Sequence, residues 1–368
     1  MAQAARYPTG TTVLTVGTKR GLFVFSSQDR KSWECTPTAM SGMRVYYSHL
    51  DQRDGKRLFA AENGDFFGNF IKYSDDFGET WQKPEKGIEF TPESGRKLVN
   101  IWTIESGHAD EPGVLYAGVD PASLWVSRDN GVTWQMNEAL ESHPTREEWN
   151  PGNGGLCLHS IVPDYSNPDR MWIGISAVGC MRTDDGGKSW KFVNKNTRAG
   201  FQPDIYPEFG QCIHRVVQHT QRPDVLYQQN HCGIYRSDNA GDDWTDIQRD
   251  MPSEFGFPIA LDSHHPETVF VIVEEGMGRF NLGDQFTVYR TQDGGESWTP
   301  LTEGLPSGTG VKLGVLRHGM CADKHDPCGV YVGTNTGQLF ATANGGDSWR
   351  MIADFLPPIN SVNVAVIE

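Results

Sequence analysis

One eight-residue phrase recurs along the whole chain and limits the folds that are available to it. The phrase Ser/Thr-x-Asp-x-Gly-x-Ser/Thr-Trp is clearest at residues 183–190, and a divergent copy occupies residues 26–33. The tryptophans that mark the copies are Trp33, Trp81, Trp134, Trp190, Trp244, Trp298 and Trp349. A spacing of about 50 residues between copies indicates one supersecondary unit that is repeated from end to end.

The phrase has the composition of a tight turn between two strands. Asp and Gly supply side-chain hydrogen bonds and a positive φ angle, and the Trp opens the next strand and packs beneath the turn. In these residues it is similar to the Asp box, or BNR repeat, and the chain resembles the Asp-box propellers: sialidases, xyloglucan-cleaving hydrolases, sortilin-type receptors and photosystem assembly factors. The resemblance implies Asp-box turns on one face of a propeller and a ligand pocket on the other.

Each repeat divides into four short strands, which in the fourth repeat are residues 158–164, 171–174, 180–183 and 190–193. The chain begins with a second strand at residues 12–17, and it ends with an apolar first strand at residues 361–368. We therefore predict a single all-β domain over residues 1–368, a seven-bladed β-propeller of four-stranded antiparallel blades. The C-terminal strand completes the N-terminal blade, so that the ring has no open edge.

Charge and patterning restrict the partners and the location. A formal net charge of −15 disfavours nucleic acid and anionic membranes, which would repel the average surface. The N-terminus has no apolar leader segment, and no apolar run of membrane-spanning length occurs. Seven cysteines without a framework spacing are typical of reduced thiols. These features predict a soluble cytoplasmic protein that acts on a small molecule or a carbohydrate.

Three histidines share one position in the repeat. His159, His214 and His318 each stand twelve residues before the second strand of their repeat, and the same register places Tyr46, Thr103 and Phe257 there in other repeats. The positions that follow the second strands form a polar ring on the pocket face, made of Lys19, Asn63, Asp120, Ser176, His231, Glu274 and Asn335. Because adjacent antiparallel strands bring their ends together, His231 should lie beside His214.

Imidazoles that converge in this way favour a metal site. We predict that His159, His214 and His231 bind a divalent transition-metal ion, zinc or a similar ion. Cys157 and Cys212 share the strand faces of His159 and His214, and a thiolate would favour a softer ion. The alternative is that the histidines fill the channel and form hydrogen bonds with one another or with water.

The remaining candidates are assigned to catalysis and to substrate binding. Asp120, Glu274 and His318 are the predicted catalytic groups. The predicted substrate-binding residues are Lys19, Tyr46, Asn63, Trp149, Arg317 and Asn335, with Trp149 in a long loop beside Glu147 and Glu148. For Arg317 and Arg215 the alternative is a salt bridge within the sheet, and for the long loop it is a plain solvated surface.

Three functions remain open. The leading hypothesis is a metal-assisted hydrolase or lyase acting on a small polar substrate, sugar-derived or carboxylated. The second is a glycoside hydrolase that uses a carboxylate pair, Asp120 with Glu274 or Glu147. The third is a propeller scaffold for a protein partner. The chain resembles bacterial Asp-box proteins labelled glycosyl hydrolase or sialidase, although the Phe/Tyr-Arg-Ile-Pro phrase of the sialidases is absent.

Overall fold

Seven antiparallel sheets follow one another around a ring. The computed structural model describes residues 7–36, 40–53, 57–64 and 68–368. The first four blades contain β1 (Thr12–Thr18), β2 (Gly21–Ser27), β3 (Glu34–Thr36); β4 (Val45–Leu50), β5 (Leu58–Gly64), β6 (Gly68–Ser74); β7 (Asn100–Ser106), β8 (Leu115–Asp120), β9 (Leu124–Ser127), β10 (Gln135–Met136); and β11 (Leu158–Pro163), β12 (Met171–Ile175), β13 (Gly179–Thr183), β14 (Lys191–Phe192).

The last three blades repeat the same plan. They contain β15 (Ile213–His219), β16 (Arg222–Asn230), β17 (Gly233–Ser237), β18 (Thr245–Asp246); β19 (Gly256–Leu261), β20 (Val269–Val273), β21 (Val288–Thr291), β22 (Thr299–Leu301); and β23 (Met320–Ala322), β24 (Val330–Gly333), β25 (Leu339–Thr342), β26 (Arg350–Ala353). In the second blade an isolated bridge between Tyr73 and Gln82 stands in place of a fourth strand. The predicted seven-bladed propeller is confirmed.

Helices contribute little to the described chain. They are one α-helix, Glu138–Glu141, and two 3-10 helices, Pro92–Ser94 and Arg146–Glu148. The α-helix begins at Asn137, whose side chain accepts a hydrogen bond from the amide of Leu140 and so satisfies one of the free N–H groups of the first turn. None of the described helices has the length and the apolar character needed to cross a membrane.

The C-terminal strand closes the ring as predicted. Strand β27 (Ile359–Val366) pairs antiparallel with β1, from Thr12 opposite Val366 to Thr18 opposite Ile359, and forms the innermost strand of the first blade. It starts and ends two residues earlier than the predicted 361–368. Closure pairs the inner edge of β1 and leaves it unavailable for aggregation.

A separate apolar cluster fills each of the seven blade interfaces. Each cluster contains one tryptophan of the repeat, packed against the preceding blade. The indole of Trp244 donates to Val193 O at 2.8 Å, and that of Trp298 donates to Ile247 O at 2.8 Å, so both rings also tie their blade to the one before it. The repeated tryptophan therefore stabilises the contact between blades as well as its own turn.

The Asp-box turns share one hydrogen-bond pattern. In the box of the fourth blade, Asp185 Oδ1 accepts from the amide of Ser189 at 2.9 Å and Oδ2 accepts from its hydroxyl at 2.7 Å. The divergent first copy keeps this pattern with one residue fewer, because Asp29 bonds Ser27 and Ser32. That turn therefore starts at Ser27, one residue later than the phrase predicted.

Candidate functional site

The inner strands of five blades carry a β-bulge, which in four of them lies at the position that the repeat alignment indicated. The register of each pairing shifts there, so that two residues of the inner strand lie opposite one residue of the partner strand. The bulge changes the direction in which the extra residue's side chain points. The residues at these bulges are Tyr46, Trp102, His159, His214 and Phe257. In the seventh blade His318 lies just before β23 and bridges Ser361 of the closing strand.

In the third blade the bulged residue is Trp102, and the prediction of Thr103 was wrong by one residue. Ser106 pairs with Leu115 across a connection that is one residue longer than the one between Pro163 and Met171 in the fourth blade. Counting twelve residues back from the second strand therefore stops one residue short of the bulge. The ring of Trp102 packs edge-on against Tyr46, with ring centroids 4.5 Å apart.

The three aligned histidines bind the backbone of other blades. His159 Nε2 lies 2.9 Å from Ile213 O, His214 Nδ1 lies 2.6 Å from Gly256 O, and His318 Nε2 lies 2.9 Å from His159 O. A carbonyl oxygen only accepts, so each of these ring nitrogens carries a proton. Burial, together with nearby arginine charge, lowers the pKa of all three histidines well below 6.5 and keeps them neutral.

His159 is therefore separated from the metal-ligand group that the sequence predicted. Its Nε2 binds Ile213 O, and its Nδ1 lies 3.1 Å from Ser160 Oγ, so both nitrogens are engaged. The alternative role, a channel-filling histidine with hydrogen bonds inside the fold, describes His159 and His318. His318 also packs edge-on against Tyr47, with ring centroids 4.7 Å apart.

A different trio does converge. One nitrogen each of His214 and His231 and the sulfur of Cys212 all lie within 4.8 Å of one another. Cys212 Sγ is 3.6 Å from His214 Nε2, and the rings of His214 and His231 are 5.7 Å apart, as the hairpin pairing predicts. Phe255 packs against both rings, at centroid distances of 5.2 and 5.0 Å. The chain thus brings together one thiol and two imidazoles beneath aromatic side chains.

Arg317 is a buried cation beside these groups. Its guanidinium lies 5.4 Å from the Trp102 ring centroid and 5.0 Å from that of Phe257, and its Nη2 donates to Ser176 Oγ at 3.3 Å. It forms no ion pair with any residue that the structure describes, so the salt-bridge alternative does not hold within that part of the chain. Aromatic faces partly offset the cost of burying this charge.

Two carboxyl groups on the pocket face have raised pKa values. Burial raises the pKa of Asp120 to about 6 and that of Glu274 to about 8. Glu274 Oε1 accepts from the amide of Val315 at 2.7 Å, while its Oε2 is buried with no hydrogen-bond partner in the described chain. Asp120 is half-buried, and a Cβ atom added at Gly155 would lie 2.3 Å from its Oδ2, so a glycine backbone passes directly over this carboxylate.

The other predicted substrate-binding residues are divided between the surface and the framework. Lys19 and Asn335 are exposed on the pocket face. The side-chain amide of Asn63 forms hydrogen bonds within the fold: its Nδ2 donates to Ile101 O at 3.2 Å, and its Oδ1 accepts from Ile101 N at 2.9 Å. Trp149 is buried against Leu140 and Phe192, which makes it part of the core between the third and fourth blades. Glu147 and Glu148, next to it, are exposed.

Exposed apolar side chains, which the sequence analysis did not single out, are concentrated on the same face. Large exposed apolar residues in the loops that enter first strands or join second to third strands are Val99, Phe201, Ile205, Tyr206, Met277 and Phe355. Phe201 contacts His231, with ring centroids 5.4 Å apart. This apolar rim therefore reaches the thiol–imidazole group.

Depressions of the surface also occur away from the axis. One of about 450 Å³ lies between the sixth and seventh blades on the Asp-box side, where it is lined by Asp262, His265, Arg290 and Asp347. Arg290 is already paired with Asp347 there at 2.7 Å. We regard this depression as a consequence of how adjacent turns pack, because its charged groups pair with one another.

Comparison with known proteins agrees with this architecture. The sequence model of the BNR/Asp-box repeat matches residues 72–83. The oligoxyloglucan-reducing end-specific xyloglucanase of Emericella nidulans is 24% identical over 303 residues, which cover 71% of this chain and 35% of that protein. The chain resembles glycosyl-hydrolase-labelled Asp-box propellers. It spans about a third of the length of the curated relatives it matches.

Solved structures share the fold. The GH74 enzyme of Niastella koreensis superposes with a TM-score of 0.61 at 17% identity, over 91% of this chain and 55% of that one. The protein YCF48 bound to a D1 peptide superposes with a TM-score of 0.52 at 14% identity, over 96% of both chains. At these identities the likeness concerns the propeller alone. The relatives in sequence support the glycoside hydrolase hypothesis better than the metal-assisted one.

Proposed function

We propose that the chain is a glycoside hydrolase whose acid and base are Glu274 and Asp120. The observation that carries this proposal is a pair of carboxyl groups on one face with pKa values of about 8 and about 6. At neutral pH the first is protonated and the second is mostly ionised. Glycosidic cleavage needs such a pair, one group to protonate the leaving oxygen and one to act as base or nucleophile.

Neither carboxyl group is consumed by the fold. Asp120 makes no side-chain hydrogen bond to a described residue, and Glu274 leaves Oε2 without one. A buried polar atom without a partner costs free energy, and perturbed carboxyl groups of this kind cluster at functional sites. The sequence similarity to xyloglucan-cleaving enzymes supports a carbohydrate as the substrate.

Glu274 is buried and needs a local movement before it can reach a substrate. Its side chain is 0% exposed, and its Oε1 accepts from the amide of Val315. The loop after β20 follows Glu274 directly in the chain and carries Met277, which is 92% exposed. Arg279 of the same loop lowers the pKa of Glu274 against the larger effect of burial. In this mechanism the loop moves when a sugar binds, Glu274 donates its proton to the leaving oxygen, and Asp120 acts at the anomeric carbon directly or through water.

The two other hypotheses keep narrower support. A metal-assisted hydrolase or lyase loses one predicted ligand, because both nitrogens of His159 are engaged. A scaffold for a protein partner is favoured by the apolar rim, since exposed apolar side chains on one face are a feature of interaction sites. The rim also suits a sugar ring, whose apolar faces pack against aromatic side chains.

The assay is the release of reducing ends from xyloglucan oligosaccharides and from a panel of other oligosaccharides and aryl glycosides. We expect Asp120→Asn and Glu274→Gln each to lower kcat by about 10²-fold or more, the range for loss of a general acid or base. Glu93→Gln, an exposed carboxylate of the same face, is the matched control and should act like the wild type.

The pH profile provides a second readout. The value of kcat/KM should fall below about pH 6 as Asp120 gains a proton, and above about pH 8 as Glu274 loses one. Wild-type activity that survives both substitutions would show that other groups carry the reaction. A wild-type protein that cleaves none of the panel while binding a protein partner would favour the scaffold hypothesis.

A further inference from the structure

The thiol and two imidazoles of Cys212, His214 and His231 have the spacing that one metal ion requires. In a tetrahedral zinc site with Zn–S near 2.3 Å and Zn–N near 2.0–2.1 Å, the sulfur and a nitrogen lie about 3.6 Å apart. Cys212 Sγ and His214 Nε2 are 3.6 Å apart, and a His231 nitrogen lies within 4.8 Å of both atoms. A small rotation of His231 would complete a three-ligand site.

The protonation of His214 is already fixed in the form that a ligand needs. Its Nδ1 donates to Gly256 O at 2.6 Å, so the neutral ring has an unprotonated Nε2, and this is the nitrogen that faces Cys212. Metal-binding histidines are usually oriented in this way, by a hydrogen bond from the other ring nitrogen to a carbonyl or a carboxylate.

His231 is held near the other two ligands without being used. Its ring is half-buried between Phe201 and Phe255, at centroid distances of 5.4 and 5.0 Å. Neither of its ring nitrogens forms a hydrogen bond within the described ranges. Its backbone amide donates to Cys212 O at 3.0 Å, which fixes the two residues opposite each other at the end of the β15–β16 hairpin.

We propose that Cys212, His214 and His231 form a binding site for a thiophilic transition-metal ion, Zn²⁺ or Cu⁺. Binding would release the thiol proton to solvent and join the thiolate and two neutral imidazoles to the ion. A thiolate among the ligands selects such ions over Mg²⁺ and Ca²⁺, which prefer oxygen. The site does not depend on glycosidase activity, because neither Asp120 nor Glu274 belongs to it.

Arg317 and Arg279 each have two opposing effects on this site. Burial raises the pKa of the Cys212 thiol, and the two arginine charges lower it, so the arginines favour the thiolate. They also repel a cation. With one thiolate and two neutral imidazoles a monovalent ion leaves the ligand group neutral, whereas a divalent ion leaves it positive beside Arg317 and Arg279. Cu⁺ therefore meets less repulsion than Zn²⁺.

The neighbouring blade provides a built-in control. Cys157 and His159 repeat the Cys-x-His pattern of Cys212 and His214, but His159 Nε2 is bound to Ile213 O. In the described chain no third ligand converges there. Cys157→Ser therefore removes a buried thiol of the same register and keeps all three proposed ligands.

The experiment uses full-length protein without a histidine tag, titrated separately with Zn²⁺, Co²⁺ and, under reducing conditions, Cu⁺. We expect one ion per chain and, with Co²⁺, a thiolate-to-metal charge-transfer band in the near ultraviolet. Cys212→Ser should abolish that band, and His231→Ala should weaken binding by more than the 10–100-fold that loss of a second-shell partner costs. Cys157→Ser should keep both the band and the affinity.

Three results would overturn the proposal. They are no uptake of any of the three ions at one equivalent, a charge-transfer band that survives Cys212→Ser, and equal losses in Cys157→Ser and Cys212→Ser. His231 is half-buried, so His231→Ala should fold, and its circular dichroism spectrum and melting curve verify this. His231→Gln serves as the second variant, since it keeps a polar side chain but provides no imidazole.

Discussion

Ring closure can be tested by coupling the last blade to the closing strand. Val362 of β27 is 1% exposed and packs in the cluster between the seventh and first blades. A Cβ atom added at Gly333 of β24 would lie 2.7 Å from Val362 Cγ2 and 2.6 Å from Ile359 Cγ2. The backbone of Gly333 therefore lies directly against the closing strand, and each residue limits the size of the other.

The magnitudes follow from these contacts. Val362→Ala removes two methyl groups, worth about 1.6 kcal/mol at roughly 0.8 kcal/mol each. With a cavity left behind, the loss of unfolding free energy should reach about 2–3 kcal/mol. Gly333→Ala overpacks the same space and should cost about 1–3 kcal/mol. In the double variant the new methyl occupies part of the space that Val362 vacates, so the combined loss should be smaller than the sum by at least about 0.5 kcal/mol.

The assay is urea unfolding followed by tryptophan fluorescence on the four proteins of the cycle. Val13→Ala is the matched control, because Val13 is also 1% exposed in the first blade but packs in the cluster with the second blade. Gly333→Ala and Val13→Ala should add within about 0.3–0.5 kcal/mol. Additivity of Gly333→Ala with Val362→Ala as well would show that β27 does not pack against the last blade.

Two further predictions concern acid. Because the pKa values of His159 and His318 are well below 6.5 in the fold, the unfolded chain binds protons that the native chain does not, and stability falls as pH drops below about 6.5. Each histidine contributes about 1.4 kcal/mol per pH unit to the slope of unfolding free energy against pH. In His318→Gln this slope, measured by urea unfolding between pH 6.5 and 5, should therefore be smaller by that amount. Hydrogen bonds from Ser189 lower the pKa of Asp185 to about 2, so its stabilising effect is present above about pH 4 and is lost as pH falls toward 2. Asp185→Ala should have a lower melting temperature than the wild type at pH 7, and its melting temperature should fall less than that of the wild type on acidification. An acid transition identical to that of the wild type would contradict this role of the turn.

The architecture was predictable because the repeat encodes its own geometry. The central Asp185 of the fourth box bonds Thr183 and Ser189 within its own turn, so a short local sequence is enough to predict that turn. The chain begins with the second strand of a repeat and ends with a first strand, and this pattern predicted that the C-terminal strand completes the first blade. Errors arose where a connection changed length, as in the third blade, where one extra residue moved the bulge from Thr103 to Trp102.

The site was less predictable because its chemistry depends on contacts between blades. Alternation placed His159 and His214 in the same register, and each bonds a carbonyl of the next blade, His159 through Nε2 and His214 through Nδ1. The second nitrogen of His214 therefore faces Cys212, whereas that of His159 lies against Ser160, and no pattern within a repeat records which ring nitrogen the next blade takes. For the same reason Asn63 was predicted as a substrate ligand, whereas its amide joins the second blade to the third.

Arg317 distinguishes the two proposed sites from each other. Its charge lowers the pKa of the Cys212 thiol and of His214, whereas the pKa values of Asp120 and Glu274 are both raised by burial and Arg317 does not contribute to either. In metal-free Arg317→Met the Cys212 thiol should hold its proton to higher pH, so the rate of its alkylation by iodoacetamide should rise at a higher pH than in the wild type. The pH limits of hydrolysis should stay where they are, whatever happens to KM. A common shift of both profiles would mean that the carboxyl pair and the thiol–imidazole group titrate as one unit, and the two sites would then have to be treated as a single centre.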